Sequence, residues 1–312
     1  MKRFNFPQYA PCIALAILFI ISAIASPYFL KPRNLLNILR QVSYTGIIGL
    51  GMTFVIISGG IDLSVGSMTA LVGGIAIMTL NYFGGGTTAI VMAVFAGLIV
   101  GTIAGILNGV IITKGRIAPF VVTLGMMSIF RSLTLYMSNA GEFQSGSDFY
   151  PRIGSGSFWG VPIPVWVFLS LAVIFHIVLN NTRYGRYVYA VGSNDQIARY
   201  SAIKINLIKF ISYALTGFAV GVSSIMLSSR MNSISSSNAG LYYELDAIAA
   251  VVIGGTSMSG GSGTIYGTVV GAIILGIMNN MLNMLGISPY LQGIVKGLVI
   301  IFAVLLQYKK KN

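Results

Sequence analysis

Charge is what this sequence most lacks. Only 8% of its 312 residues are Asp, Glu, Lys or Arg, and the stretches 63–113 and 247–295 contain none of the four. A soluble domain cannot show such a surface to water, whereas a lipid-facing helical bundle requires one. Each stretch is too long for one crossing, which takes roughly 20 residues, and each has a polar break near its middle. Two helices per stretch is the simple reading. Cysteine is nearly absent: Cys12 stands alone in an apolar segment, which excludes an internal disulfide or a Cys-based metal cluster. The lone histidine, His176, has no His, Cys or acidic residue at metal-ligand spacing and reads as a packing or hydrogen-bonding residue. A Gly-rich phosphate loop ending in Gly-Lys-Ser/Thr, a hydrolase nucleophile elbow and a zinc helix with His-Glu spacing are all missing from the sequence. The chain therefore carries no recognisable engine or catalytic site, and any active transport would draw on an ion gradient or another subunit.

What is present is apolar sequence, 55% of the total. It reads as one all-α integral membrane domain over 1–312 with about ten transmembrane helices. Candidate crossings fall at 11–29, 43–58, 62–80, 88–112, 117–137, 163–180, 209–229, 246–259, 263–283 and 289–308. The first run is longer than a signal-peptide core and reads as an uncleaved helix. Gly-rich breaks at 59–62 and 260–262 leave almost no loop, so either place suits a broken or re-entrant helix.

The net charge of +13 would suggest nucleic acid in a soluble protein, but these cations sit in short connectors and read as topology signals facing lipid or a cytosolic partner. An even number of crossings puts both ends on one side. Lys2 and Arg3 open the chain, and Lys309, Lys310 and Lys311 close it. With these ends cytoplasmic, Lys114, Arg116, Arg183, Arg186, Arg199, Lys204 and Lys209 are cytoplasmic too, as the positive-inside bias requires. Lys31, Arg33 and Arg40 fall on the wrong side, and 34–41 reads as a short interfacial helix. The longest connectors are then an external loop at 138–162 and a cytoplasmic loop at 181–208. Within the second, Asn194 or Asp195 can cap a two-turn helix ending before Ile203, a candidate docking element, with a solvated loop as the bland alternative.

Gly97, Gly101, Gly105 and Gly109 recur every four residues, and Gly217 with Gly221 and Gly267 with Gly271 repeat that spacing. Such stripes let helix backbones approach closely; the competing reading is a stripe that lines a path. Gly101 to Gly105 echoes Gly267 to Gly271, and Ile117-Ala118-Pro119-Phe120 echoes Ile287-Ser288-Pro289-Tyr290, as weak inverted repeats would.

Asp62 is an acidic group between two apolar runs, in Gly59-Gly60-Ile61-Asp62-Leu63-Ser64. A carboxylate at membrane depth is expensive unless paired, hydrated or at a helix end. It reads either as a structural cap or hinge, a role Ser58 could share, or as a group near a substrate. Ser64, Asn108, Phe120, Asn279 and Asn280 are the other candidates for a substrate path, with Thr123, Asn283 and Tyr290 as lesser ones. Amides bind hydroxyls without charge and aromatic rings cover apolar sugar faces, although the same amides also join helices.

Three stretches carry a family resemblance: GGIDLSVGS at 59–67, YAVGSNDQIARYSAI at 189–203 and the long run from Tyr243 to Ser288, with NTRYGRY at 181–187 beside them. Together they resemble the permease subunits of bacterial ATP-binding-cassette importers for monosaccharides, especially the ribose branch. The resemblance covers nearly the whole chain. It implies a multi-pass protein of the bacterial inner (cytoplasmic) membrane, with ten helices and cytoplasmic ends. The implied partners are a second permease copy, a cytosolic ATPase that carries ATP and Mg, an external sugar-binding protein, a sugar such as ribose, and lipid. No cofactor is implied on this chain, and nucleic acid is not a partner. It further implies that 192–201 is the cytosolic coupling element, with Asn194, Ala198 and Arg199 meeting the ATPase and Gly192 shaping the approach. Ser193 and Tyr200 stand where many relatives place Gly and Leu, which bears on partner pairing. A gradient-driven secondary sugar transporter and a non-transport membrane scaffold are the alternatives.

Overall fold

The computed structural model describes residues 6–309; Lys2, Arg3, Lys310 and Lys311 lie outside the described residues, as do the side chains of Tyr290 and Lys309. In chain order the elements are α1 (Phe6–Ala25), α2 (Pro32–Ile57), α3 (Val65–Tyr82), α4 (Thr87–Gly115), α5 (Pro119–Met137), β1 (Glu142–Gln144), α6 (Pro151–Ser155), β2 (Ser157–Phe158) and β3 (Val161–Pro162). Then come α7 (Ile163–Asn181), α8 (Arg183–Ser193), α9 (Asp195–Tyr200), α10 (Ile205–Met231), β4 (Ser233–Ser235), α11 (Tyr243–Ile253), α12 (Ile265–Met284) and α13 (Pro289–Lys309). The molecule is a helical multi-pass membrane protein. Among the described residues seven helices, α2, α3, α4, α5, α7, α10 and α12, are long and apolar enough to cross a bilayer.

That number corrects the sequence expectation of about ten, for physical reasons. The segments 34–41 and 43–58 are one helix, since Pro32 starts α2, no proline follows within it, and the first glycine at positive φ is Gly59. Hence no separate interfacial helix exists there. The expected crossing at 246–259 is the half-helix α11, stopped at Gly254 and Gly255; its 11 residues span only about 16 Å, against about 30 Å of hydrocarbon. The apolar run in α1 is short, at Pro11–Ala25, and α13 is not among the seven.

Helix α2 is the axis of the bundle. From Val42 to Ser58 it is buried on nearly every side, and its apolar residues enter both large core clusters, beside α7, α10 and α12 in one and α3, α4 and α11 in the other. The glycine stripes are helix crossings. Added methyl groups at Gly101 and Gly105 of α4 would run into the backbone of Gly217, Gly221 and Tyr213 on α10, and one at Gly217 would overlap the Gly101 carbonyl. Likewise Gly267 and Gly271 of α12 lie against Gly254 and Ala250 at the end of α11. Close backbone approach of this kind replaces the hydrophobic drive that lipid cannot supply between helices.

The two connectors occupy opposite ends of the bundle, because α7 runs from one to the other. At one end β1 pairs antiparallel with β4, Phe143 opposite Ile234, and Asn81 at the end of α3 donates to the Gln144 carbonyl at 2.8 Å. At the other end 181–208 is mostly helical rather than a loop, because Thr182 caps α8 by accepting from the Gly185 N–H.

Candidate functional site

Two interruptions of helix, at 58–64 and 254–264, converge at the α8 end of the bundle. The first begins where α2 stops: Gly59, at φ 79°, lets the Gly59 and Gly60 amides turn back to the carbonyls of Ile56 and Val55. Asp62 then organises the chain that leads into α3. Its Oδ1 accepts from the Ser64 amide at 2.9 Å and from the Ser64 hydroxyl at 2.6 Å. Asn108 of α4 donates to Asp62 Oδ2 at 3.2 Å and to Ser64 Oγ at 2.8 Å. Tyr213 of α10 donates to the Ile61 carbonyl at 3.0 Å.

Asp62, Ser64 and Asn108 are all fully buried. A carboxylate there is tolerable because donors surround it. Asn108 lies seven residues before the end of α4 and Tyr213 eight residues after the start of α10, which puts the clasp about 10–12 Å inside the bundle. Asp62 therefore bonds the amide at the N-terminus of α3 and ties it to α4.

The second interruption contains Gly255, Gly260 and Gly261, all at positive φ, and its Gly261 amide donates to the Ile57 carbonyl at 2.9 Å. The last turn of α2 thus holds both breaks. Onto this junction falls α8: Gly192 is so near the Ile57 carbonyl and Gly261 that a methyl group would overlap them, and Tyr189 donates to the Gly263 carbonyl at 2.8 Å. Burial pushes the Tyr189 phenol up, so it remains a neutral donor at physiological pH.

Helix α9 extends this contact to the surface. Asn194 caps it, its Oδ1 accepting the Gln196 and Ile197 amides at 2.9 and 3.0 Å. Ala198 is buried against the core, while Arg199 is exposed and, with Ile197 and Tyr200, gives α9 an outward face. Asp195 pairs with Lys209 of α10 at 2.8 Å. A cavity of about 730 Å³ opens beside it, lined by Arg116, Arg199 and Lys204.

The expected substrate-path residues do not gather in one place. Asp62, Ser64 and Asn108 form the clasp. Asn280 instead exchanges hydrogen bonds with Asn34 of α2 at 2.9 and 3.2 Å, Asn279 keeps a buried Oδ1 without a hydrogen-bond partner, and Phe120 is 55% exposed. Asn283 accepts from Gln292 at 2.8 Å, and Thr123 bonds its own helix at the Pro119 carbonyl. His176 contacts Asn180, and Cys12 contacts the Tyr266 hydroxyl at 3.3 Å. Among the described residues no group of three or more His, Cys, Asp or Glu could hold a metal ion.

Sequence reasoning passed over Arg131, Glu244, Asp246 and Lys296. Asp246 and Lys296 form an ion pair at 2.9 Å that fastens α11 to α13. The available signal was the same one that singled out Asp62: acidic residues entering an uncharged run.

A family model described as "Branched-chain amino acid transport system / permease component" matches residues 34–304. The chain belongs to that family. The chain is also 43% identical to the ribose import permease protein of Bacillus subtilis (strain 168), over 99% of this chain and 96% of that protein. It is 44% identical to the ribose import permease protein of Escherichia coli (strain K12), over 96% of this chain and 93% of that one. The D-allose transport system permease protein of the same strain is 36% identical, over 98% of this chain and 94% of the relative. No solved structure matches. As a permease component, the chain is the membrane-spanning part of a transport system.

Proposed function

We propose that this chain is the permease of an ATP-driven importer of a monosaccharide, ribose first. The carrying observation is the near full-length likeness to two ribose import permeases at 43% and 44% identity. In this reading two copies form the membrane channel. An external sugar-binding protein, in the periplasm or tethered to lipid, docks at the β1–β4 end, and cytosolic ATPases that bind ATP and Mg dock at the α8–α9 end. Both chain ends face the cytoplasm in the bacterial inner membrane. Helices α1 and α13 and the half-helix α11 with the segment after it lie in the membrane beside the seven long crossings.

The mechanism is alternating access with no covalent chemistry on this chain. Closure of the ATPases on nucleotide moves α9, gripped through Asn194, Ala198 and Arg199. Helix α8 carries that movement to Gly192, which bears on Ile57 and Gly261, so both breaks shift together. The clasp of Asp62, Ser64 and Asn108 passes the shift into α3, beside the path. Asn279 and Asn280 serve the path nearer the β1–β4 end, where the unpartnered amide oxygen of Asn279 awaits a hydroxyl, and Phe120, at the start of α5, serves it at the α8–α9 end.

Uptake of labelled ribose, allose and arabinose by the assembled complex tests the reading. Ribose should enter fastest; a clear hexose preference would overturn the substrate and leave the architecture. Absence of flux for any sugar in a correctly assembled complex would favour a scaffold.

A further inference from the structure

A cavity of about 430 Å³ lies between the first turn of α3, the middle of α5 and the start of α11, lined by Ser67, Ser128, Arg131, Ser132, Tyr242 and Glu244 among others. Its volume is that of a small-molecule site. Its lining is unusual for a membrane protein interior, because it holds one cation and one anion that do not pair. Arg131 spends two of its five N–H groups on the carbonyls of Ser236 and Ala239, at 2.7 and 3.0 Å. The Glu244 carboxylate lies against Gly66 in the first turn of α3, a place only a residue without a side chain leaves open. Ion pairs among the described residues form elsewhere, and Asp246 with Lys296, two residues along α11, shows what a structural charge pair looks like here.

Two opposite charges held apart across a cavity need a molecule with both donors and acceptors, and they penalise one of net positive or net negative charge. An anion would meet Glu244 and a cation would meet Arg131. A neutral polyol satisfies both: its hydroxyl protons go to the carboxylate, its oxygens accept from the free guanidinium N–H groups, and Ser67, Ser128 and Ser132 supply either role. The Tyr242 ring offers an apolar surface for C–H groups.

We propose that this cavity is a transit site for an uncharged polyhydroxylated molecule of monosaccharide size, with Glu244 its main acceptor and Arg131 its donor. The proposal rests on the import reading above. It adds that the membrane chain itself recognises hydroxyl groups, independently of any binding protein.

The test uses the assembled complex in proteoliposomes, comparing initial uptake of ribose with that of its mono-deoxy analogues. Selectivity of the binding protein is common to every variant and cancels. Glu244→Gln should lower the preference for ribose over at least one analogue by about tenfold, the usual effect of losing a hydrogen bond to a charged group. In a second arm, Ser132→Cys in a Cys12→Ala background is alkylated by a permeant maleimide during turnover, and ribose should slow the reaction while a non-transported polyol of equal size should not. An unchanged preference for every analogue, or alkylation indifferent to ribose, would overturn the proposal. Where Glu244→Gln is too slow for a ratio, the alkylation arm decides alone. Absence of ribose uptake by the unsubstituted complex is a separate result, and it would overturn the import reading instead.

Discussion

Gly192 touches the carbonyl of Ile57 with no room for a single methyl group between them. That contact joins the α8–α9 segment to the end of α2, where both helix breaks are held. Gly192→Ala should force the two apart, since overpacking at backbone has no flexible neighbour to absorb it and costs roughly 1–3 kcal/mol. Uptake in proteoliposomes should fall at least about tenfold, which corresponds to roughly 1.4 kcal/mol, while ATP hydrolysis by the complex persists. Proportional loss of both activities would mean that α8 only anchors the partner. Arg199→Ala acts one step earlier and should weaken ATPase association, read by co-purification, without altering membrane insertion.

The clasp makes a different kind of prediction. Removing Asn108 leaves Asp62 buried with fewer donors, and an unsatisfied buried polar group costs about 1–3 kcal/mol, more when charged. Asn108→Leu should therefore lower Tm in detergent clearly, whereas Asn279→Leu, which leaves no partner orphaned, should change it little. Equal Tm values for the two variants would remove the clasp from the account.

Lys296 and Asp246 supply a test of charge pairing at membrane depth. Lys296→Met strands a mostly buried carboxylate, a loss of about 3–5 kcal/mol when one partner of a buried pair is removed. The double variant Lys296→Met with Asp246→Leu should recover most of that stability, because the pair itself contributes little beyond a well-packed apolar replacement. Thermal unfolding of the two single variants and the double variant measures the coupling directly, and additive losses would contradict it.

The crossing of α4 and α10 depends on bare backbone. Gly105→Val or Gly217→Val should push the helices apart and yield aggregated or degraded protein, while Gly125→Ala on α5, where nothing lies within contact distance, should be neutral. Size-exclusion profiles of the three variants read this out.

Much of the fold was legible because its causes are local. Uncharged runs marked the lipid-spanning helices, four-residue glycine spacing marked the close crossings, and Asn194 announced the start of α9. The Gly-rich stretches at 59–62 and 260–262 were recognised as places for broken helices. Their meeting at Ile57 was not, because a backbone hydrogen bond between residues 57 and 261 leaves no trace in either local pattern. The same holds for the site residues. Asp62 stood out as a lone acid, but its pairing with Asn108 across 46 positions is a tertiary fact. Asn280 suited a hydroxyl ligand by chemistry, and the fold gave it to Asn34. Arg131 carries no such signal, since its sequence neighbours do not show that it lines a cavity with Glu244.

The most direct test of ATP-driven import reads sugar uptake and phosphate release together in proteoliposomes holding the permease, its ATPase and the binding protein, with ionophores collapsing all ion gradients. Ribose accumulation should persist under ionophore, follow ATP hydrolysis and stop when the binding protein is omitted. Accumulation by this chain alone, driven by a proton or sodium gradient and abolished by ionophore, would contradict the account and make the protein a secondary transporter.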